Sequence, residues 1–439
     1  MPKIVLIGAG SVVFAKTLIG DILSFPALQT GTLSLVDLNV ERLQLMAAYT
    51  RRLIDEQRLP VQLEVAEDRR QVLGGADYVI TVIQVGGARA YQMDIEIPRR
   101  YGVDQAVGDT IGPGGVFRGL RSIPVLLDIC RDMEELCPQA WLLNYTNPMA
   151  INVWGLYRGA KIKVVGLCHS VMATAAYLAR TVGIPFERLH YWAAGINHMA
   201  WFLQLECDGR DLYPLLKRKM RDPAVEEADR VRIAVMGLFG YFVSESSYHM
   251  SEYVPYFRRT PELRQRYLPQ PRDYLGFYMS SLDEQRRAME AQLAGCEPLR
   301  LRRSHEYASY IIDSLVTGVP RRFNLNVRND GLITNLPAGC CVEVPCLVDG
   351  AGIHPCYVGD LPPQLAALDR SNINVQALAV EAALARSRRA VHQALAVDPL
   401  TAAILTPEQA RAMADEMLEA EQEWLPEFQK RAKVAQPVP

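Results

Sequence analysis

A cysteine and a histidine from separate parts of the chain could hold a metal ion together. Cys168 and His169 follow a short apolar run, whereas Asn197 and His198 begin a different sequence pattern. A thiolate and an imidazole both bind borderline divalent metals such as manganese, iron, cobalt and nickel. Two protein ligands would leave coordination positions open, which is typical of a catalytic metal site. Taken alone, the same residue types are also common in ordinary packing.

A second candidate site lies at the start of the chain, where an apolar run leads into glycines. Gly8 permits a tight turn, and Gly10, followed by Ser11, lets the backbone approach a pyrophosphate at a helix N-terminus. Val13 stands where the third glycine of the fingerprint is expected, so the fingerprint is incomplete. Asp37, after the next predicted strand, could accept ribose hydroxyls and would repel a ribose phosphate, which favours NAD over NADP. An ordinary strand-to-helix turn is the alternative interpretation.

Two glycine-rich loops are expected beside these residues. TVIQVGG at 81–87 leaves a predicted strand in small residues, and its Gly86 is a candidate contact for the cofactor. DTIGPGG at 109–115 begins with Asp109 and is too rich in glycine to be a packed element. Both segments are also compatible with plain connecting loops.

These candidates need a scaffold that brings strand ends together. The first half alternates β-branched runs with helical stretches, which predicts a parallel sheet with crossover helices. Open α/β sheets bind their ligands at the carboxyl ends of such strands. The predicted strands are Lys3–Gly8, Leu33–Leu38, Asp77–Ile83, Trp141–Tyr145 and Lys163–Cys168.

The alternation of β-branched runs and helical stretches ends near Gly195, which predicts a second domain. Residues 199–207 and a turn at Asp208 and Gly209 indicate a hairpin, and residues 369–428 have helical periodicity. We therefore predict a nucleotide-binding domain at 1–195 and a substrate- and metal-binding domain at 196–439. The expected fold class is α/β, with a Rossmann-type parallel sheet followed by an α+β domain, as in lactate and malate dehydrogenases.

Composition argues against several classes of partner. The 439 residues carry 47 basic and 49 acidic side chains, a net charge of -2, and no long run of either sign would attract polyanions, so nucleic acid is not expected. The start of the chain lacks the charged region and cleavage site of a signal peptide, and no apolar run is long enough for a membrane span. The nine cysteines are scattered, unlike a disulfide framework. A cytoplasmic protein with reduced thiols is expected.

A group of long motifs resembles glycoside hydrolase family 4 over nearly the full chain. Asn147, in one of them, is an amide at a strand end that could bind sugar hydroxyls. Within the family the resemblance is closest to the bacterial α-galactosidases. The motifs are GAGS at 8–11, DTIGPGG at 109–115, NYTNPMA at 144–150, GLCHSV at 166–171, GINHMA at 195–200, ESSYHMSEY at 245–253 and NVRNDGLITNLPAGCCVEV at 326–344.

The resemblance implies roles for particular residues. Cys168 and His198 match the family's metal ligands, with Mn²⁺ as the usual ion, and Asn147 matches its substrate amide. Tyr253 is the first choice for the catalytic base and Glu252 the second. The family's NAD-binding positions fall on Gly8, Gly10, Ser11 and Asp37.

Two further assignments concern the sugar. His169 stands where phospho-sugar members carry Asp or Asn, which favours an unphosphorylated sugar. His169 or Asp109 could protonate the departing oxygen. Arg328, in the 326–344 motif, is a further candidate for substrate binding.

The chemistry implied by the resemblance is oxidation followed by elimination. Hydride moves from sugar C3 to NAD, the resulting ketone acidifies the C2 proton, and removal of that proton expels the group at C1. Water then adds and the hydride returns, so NAD is not consumed. α-Galactoside hydrolysis is the first expectation, and an α-glucosidase or α-galacturonidase is the alternative. The resemblance also implies a homodimer or homotetramer.

Two other classes of protein share the alternation of strands and helices that is predicted for the first half of the chain. A malate-type dehydrogenase would release reduced NAD stoichiometrically, but the sequence shows no counterpart of its arginine and histidine pair. A protein that only senses NAD has no need of a Cys and His metal site.

Overall fold

The computed structural model describes residues 1–12, 14–270 and 273–428. Val13, at the third position of the glycine fingerprint, lies outside the described residues. Among the helices in those ranges, none is both long and apolar enough to cross a membrane.

Six parallel strands form the first part of the sheet, in the order β3-β2-β1-β4-β5-β6. This is the Rossmann order, with a switch point between β1 and β4. Most of these strands are buried on both faces, as a parallel sheet covered by helices requires. The strands are β1 Lys3–Ile7, β2 Thr32–Val36, β3 Gln62–Ala66, β4 Tyr78–Thr81, β5 Trp141–Asn144 and β6 Lys163–Gly166.

Helices connect and cover these strands. Pro26–Leu28 and Phe186–Arg188 are short 3₁₀ turns. The helices of this half are α1 Phe14–Leu23, α2 Val40–Gln57, α3 Arg70–Leu73, α4 Gly87–Arg100, α5 Gly112–Leu136, α6 Met149–Gly159 and α7 Ser170–Val182.

Antiparallel strands continue the same sheet beyond β6. The order is β6-β10-β11-β7-β8-β9, and β12 pairs with β11. A single register pair, Asn326 with Gly166, joins β10 to β6. The strands are β7 His190–Ile196, β8 Met199–Cys207, β9 Arg210–Asp211, β10 Arg321–Arg328, β11 Cys341–Asp349 and β12 Gly352–Pro355.

The second half supplies the remaining helices. They are α8 Tyr213–Lys219, α9 Pro223–Phe239, α10 Ser247–Tyr253, α11 Pro261–Tyr267, α12 Tyr274–Leu293, α13 Ala308–Thr317, α14 Pro363–Ala385, α15 Arg388–Val397, α16 Pro399–Ala402 and α17 Pro407–Ala420. The largest hydrophobic core joins side chains from β1 to α17. Both halves therefore share one core.

The predicted fold class is confirmed, and differences occur at element ends. β6 ends at Gly166, although the strand was predicted to continue to Cys168. β3 was not predicted, because it is a partly exposed edge strand with polar residues and lacks the apolar run of a buried strand. The domain boundary near residue 195 stays a prediction.

Candidate active site

Five strand ends place the candidate residues along one edge of the sheet. Gly8 follows β1, Asp37 follows β2, and the loop 82–87 follows β4, while Asn147 and Cys168 follow β5 and β6. Because parallel strands end on the same side, these residues converge although they are far apart in sequence.

A cavity of about 890 Å³ lies at this edge, beside the ends of β1, β2 and β4. Gly8 has a φ of 95°, and a Cβ there would lie 2.6 Å from the carbonyl oxygen of Val82. Gly10 donates its N–H to Asp37 Oδ2 at 2.8 Å, and a Cβ on Gly10 would collide with that carboxylate. Ser11 Oγ accepts the N–H of Phe14 at 3.1 Å. The residues expected to bind a dinucleotide thus line one cavity of suitable size.

The opposite wall of the cavity comes from the second half of the chain. Leu282, Asp283 and Arg286 of α12 line it, and Arg286 forms an ion pair with Glu41 at 2.7 Å. Gly86, with a φ of 80°, lies on the rim at the start of α4. The contribution of α12 to this wall was not predicted, because α12 is far along the chain from the other residues that line the cavity.

A cluster of metal-competent side chains lies beyond the ends of β5 and β6. Cys168 Sγ lies 3.2 Å from His198 Nε2, and Glu245 Oε2 lies 3.5 Å from the same nitrogen. His198, Glu245 and His249 each offer a ligand atom, and these three atoms lie within 4.8 Å of one another. The structure therefore brings Cys168 and His198 together and adds two residues that were not selected from the sequence. Both belong to the 245–253 motif, so the motif was the available signal.

The electrostatics of the cluster suit a cation. Burial raises the pKa of the Cys168 thiol, so a nearby positive charge is needed to form the thiolate. Burial also acts to raise the pKa of Glu245, but His198, His249 and His169 outweigh it and lower that pKa to about 2. The donor set of sulfur, imidazole and carboxylate fits a borderline divalent metal.

Tyr307 fixes the backbone that carries Cys168. Its hydroxyl accepts the Cys168 N–H at 2.9 Å and donates to the Cys168 carbonyl oxygen at 2.6 Å. The same hydroxyl lies 3.1 Å from the carbonyl oxygen of Asn324 on β10. The thiol is thus positioned by both halves of the sheet.

The loop at 107–110 and Asn147 form a polar wall near the cluster. Asp109 Oδ2 accepts the Asn147 Nδ2–H at 2.9 Å, while Asp109 Oδ1 is buried without a hydrogen-bond partner among the described residues. The backbone N–H of Ile83, in the cavity wall, donates to Thr146 Oγ1 at 3.1 Å. The nucleotide cavity and the Asn147 segment therefore meet.

Two adjacent residues of α10 reach this wall in different ways. Tyr253 donates its hydroxyl to Thr110 Oγ1 at 3.0 Å, and its ring centre lies 6.4 Å from that of His198. Burial raises the pKa of Tyr253 well above its usual value. Glu252 accepts the backbone N–H groups of Val107 at 2.7 Å and Gly108 at 3.3 Å. Its carboxylate is already engaged by the loop.

His169 lies at the N-terminus of α7, next to Cys168. Its Nδ1 is 2.8 Å from Glu306 Oε1, and its side chain is 51% exposed, so it is open to a substrate. The hydrogen bond with Glu306 raises the pKa of His169 to about 10. Glu306 was not selected from the sequence, because an isolated acidic residue carries no motif.

Arg328 is not brought to this site. Since β10 is antiparallel to β6 and pairs with it through Asn326, the chain after Asn326 runs towards the amino end of the parallel strands. Arg328 is exposed there and pairs with Asp330 at 3.0 Å. Its selection as a substrate residue does not fit its position in the fold.

The fold and the cluster together define an α/β enzyme with its chemistry at the carboxyl edge of a Rossmann-type sheet. The model of the family 4 glycosyl hydrolases matches residues 3–184, and the model of their C-terminal domain matches residues 193–401. The chain belongs to the family 4 glycosyl hydrolases.

Three known proteins show how far the similarity extends. An α-galactosidase of Bacillus subtilis (strain 168) is 44% identical over 98% of this chain and 100% of its own length. An α-galactosidase of Rhizobium meliloti (strain 1021) is 39% identical over 97% of this chain and 89% of its own. A 6-phospho-α-glucosidase from gut microorganisms, solved with NAD and Mn²⁺, is 21% identical with a TM-score of 0.82, covering 98% of this chain and 100% of its own. The similarity to the 6-phospho-α-glucosidase, at this low sequence identity, shows the fold alone.

Proposed function

We propose that this chain is an α-galactosidase that uses NAD and a divalent metal ion, with Mn²⁺ the first choice, to hydrolyse unphosphorylated α-galactosides. The observation that carries the proposal is the approach of Cys168 Sγ to His198 Nε2 at the sheet edge that holds the nucleotide cavity. The substrate class rests on full-length similarity to two α-galactosidases.

The proposed cofactors fit the residues present. Gly8, Gly10, Ser11, Asp37 and Gly86 line the cavity and would hold NAD. Cys168 and His198 would hold the ion. When bound, NAD would accept and return the hydride of sugar C3, and the ion would draw electron density from the sugar oxygens at C2 and C3.

The chain's own residues then bind the sugar and move protons. Asn147, oriented by Asp109, would bind a sugar hydroxyl through its amide. Tyr253 Oη would take the C2 proton; because burial raises the pKa of this phenol, it loses its proton only when positive charge lies close by. His169, exposed and oriented by Glu306, would give a proton to the departing oxygen at C1.

The location and assembly of the protein are part of the proposal. All nine cysteines are free, which is typical of a reducing compartment such as the cytoplasm. A homodimer or homotetramer is implied by the family resemblance, and light scattering would measure it.

The proposal is tested with nitrophenyl α-galactoside in heavy water. The enzyme stripped of NAD and metal should be inactive, and adding both NAD and Mn²⁺ should restore turnover without net formation of reduced NAD. Each galactose released should carry deuterium at C2, because that proton is removed and replaced.

Two results would contradict the proposal. Activity that survives complete removal of NAD, or galactose without deuterium at C2, would indicate direct displacement. A panel that includes α-glucosides and α-galacturonides would show whether the substrate class is correct, independently of the mechanism.

A further inference from the structure

Besides Cys168, His198 has a carboxylate and a second imidazole as close neighbours. Its Nε2 lies 3.2 Å from Cys168 Sγ and 3.5 Å from Glu245 Oε2. Its ring centre lies 4.5 Å from that of His249, with the two planes inclined at 61°. The thiol and the carboxylate therefore both contact Nε2 of His198, and the second imidazole packs against its ring.

The two histidines have unused nitrogens inside the protein. His198 is 4% exposed and His249 is 7% exposed, and Nδ1 of each is buried without a hydrogen-bond partner in the ranges that the structure describes. Buried polar atoms are nearly always paired, so this region lacks a partner for them. Since the ligand atoms of His198, Glu245 and His249 lie within 4.8 Å of one another, a cation between them could be the partner of the His249 imidazole. His198 would bind the same cation through Nε2, the nitrogen that faces Cys168 and Glu245.

The backbone holds Glu245 in an unusual conformation beside the histidines. Glu245 has a φ of 70°, and His198 has a φ of 63°, although neither is glycine. The N–H of Glu245 donates to Thr174 Oγ1 at 3.1 Å, and its carbonyl oxygen accepts from Arg232. With the backbone held in this way, the carboxylate faces His198.

We propose that Glu245 and His249 bind the same divalent cation as Cys168 and His198, so that the ion has four protein ligands. This inference rests on the proposed function. A thiolate and a carboxylate together neutralise a divalent charge, and the two imidazoles add no charge. These four donors would leave an ion such as Mn²⁺ room for oxygen ligands, which suits the hydroxyls of a sugar.

The first experiment measures binding of Mn²⁺ alone to the metal-free full chain. Glu245→Gln and His249→Gln should each weaken Mn²⁺ binding at least tenfold in calorimetry. Glu381→Gln and His354→Gln are matched controls, because both change surface ion pairs, and they should bind Mn²⁺ like the unaltered protein. NAD affinity, measured on the same samples, shows that each variant is folded.

The second experiment separates a metal ligand from a residue that only supports one. Pulsed electron paramagnetic resonance of bound Mn²⁺ detects nitrogen nuclei bonded to the ion. The unaltered protein should show two imidazole nitrogens, and His249→Gln should show one. With Co²⁺ as the probe, the cobalt-thiolate absorption band should persist in the Glu245 and His249 variants and disappear in Cys168→Ser.

Three outcomes would overturn the inference. They are a single imidazole nitrogen in the unaltered protein, a loss of Mn²⁺ affinity smaller than tenfold in either folded variant, and two ions bound per chain. Failure of the proposed function would look different, because Cys168→Ser would then also leave Mn²⁺ affinity unchanged.

Discussion

Glu252 and Tyr253 are neighbours in sequence, but their contacts suggest different tasks. Glu252 is 1% exposed and its two carboxylate oxygens accept the N–H groups of Val107 and Gly108. The same loop carries Asp109, which orients Asn147, and Thr110, which binds Tyr253. We interpret Glu252 as the residue that positions the loop and Tyr253 as the proposed base.

Substitutions at the two positions should therefore have different effects. Tyr253→Phe removes the proposed base and should lower kcat about 100-fold to 10,000-fold. Glu252→Gln weakens one charged hydrogen bond of the loop, worth about 1.5 to 3 kcal/mol, and should lower kcat by about 10-fold to 100-fold while the pH profile keeps its shape. Steady-state kinetics over a range of pH measures both.

A larger loss of kcat in Glu252→Gln than in Tyr253→Phe would assign the role of catalytic base to Glu252. In that case Glu252→Gln would abolish deuterium incorporation at C2 and Tyr253→Phe would retain it. Glu381→Gln, on the surface, is the control for replacing a carboxylate by an amide.

At the scale of elements, the segment after α17 is attached to the nucleotide edge. Glu421 is buried and forms an ion pair with Arg121 of α5, which also binds Asp94 of α4 at 2.6 Å. Trp424 then lies against Gly86, since a Cβ on that glycine would be 3.0 Å from the indole ring. Arg89 lies over the same ring at 5.2 Å. The C-terminal segment therefore supports the loop that leads into α4.

Removal of the indole should weaken nucleotide binding without affecting the metal. Trp424→Ala should raise the Kd for NAD by about 3-fold to 10-fold, because about 1 kcal/mol of packing against the loop is lost. Mn²⁺ affinity should stay the same. Fluorescence titration with NAD and calorimetry with Mn²⁺ measure the two constants.

Gln422→Ala is the control for this prediction, because Gln422 is exposed on the same segment. An unchanged Kd for NAD in Trp424→Ala would mean that the loop does not depend on the indole.

At the scale of the whole molecule, the sheet does not stop between the two predicted domains. β10 pairs with β6, Tyr307 bonds to both Cys168 and Asn324, and the largest core includes residues from both halves. Two halves that share a sheet and a core are expected to lose their structure together.

Unfolding should consequently show one cooperative transition in calorimetry. NAD present at a hundred times its Kd should add about 2.7 kcal/mol of stability and move that transition as a whole. Two resolved transitions, of which NAD moves only the first, would contradict this expectation.

The sequence determined those features that depend on local pattern. Apolar runs predicted five strands of the parallel sheet, Gly8 and Gly10 predicted the nucleotide turn, and long motifs pointed to the family. Each of these signals lies within a few residues of the chain, where turn geometry and alternation of apolar residues act directly.

Only the tertiary structure decided which distant side chains meet. It placed Glu245 and His249 beside His198, turned the carboxylate of Glu252 towards a loop, and lined the cavity with α12. It also put Arg328 two residues beyond the Asn326–Gly166 pair, on the part of β10 that runs away from the carboxyl edge. The physical reason is that strand order, register and helix packing set these contacts, and they depend on burial of the whole core more than on any neighbouring residue.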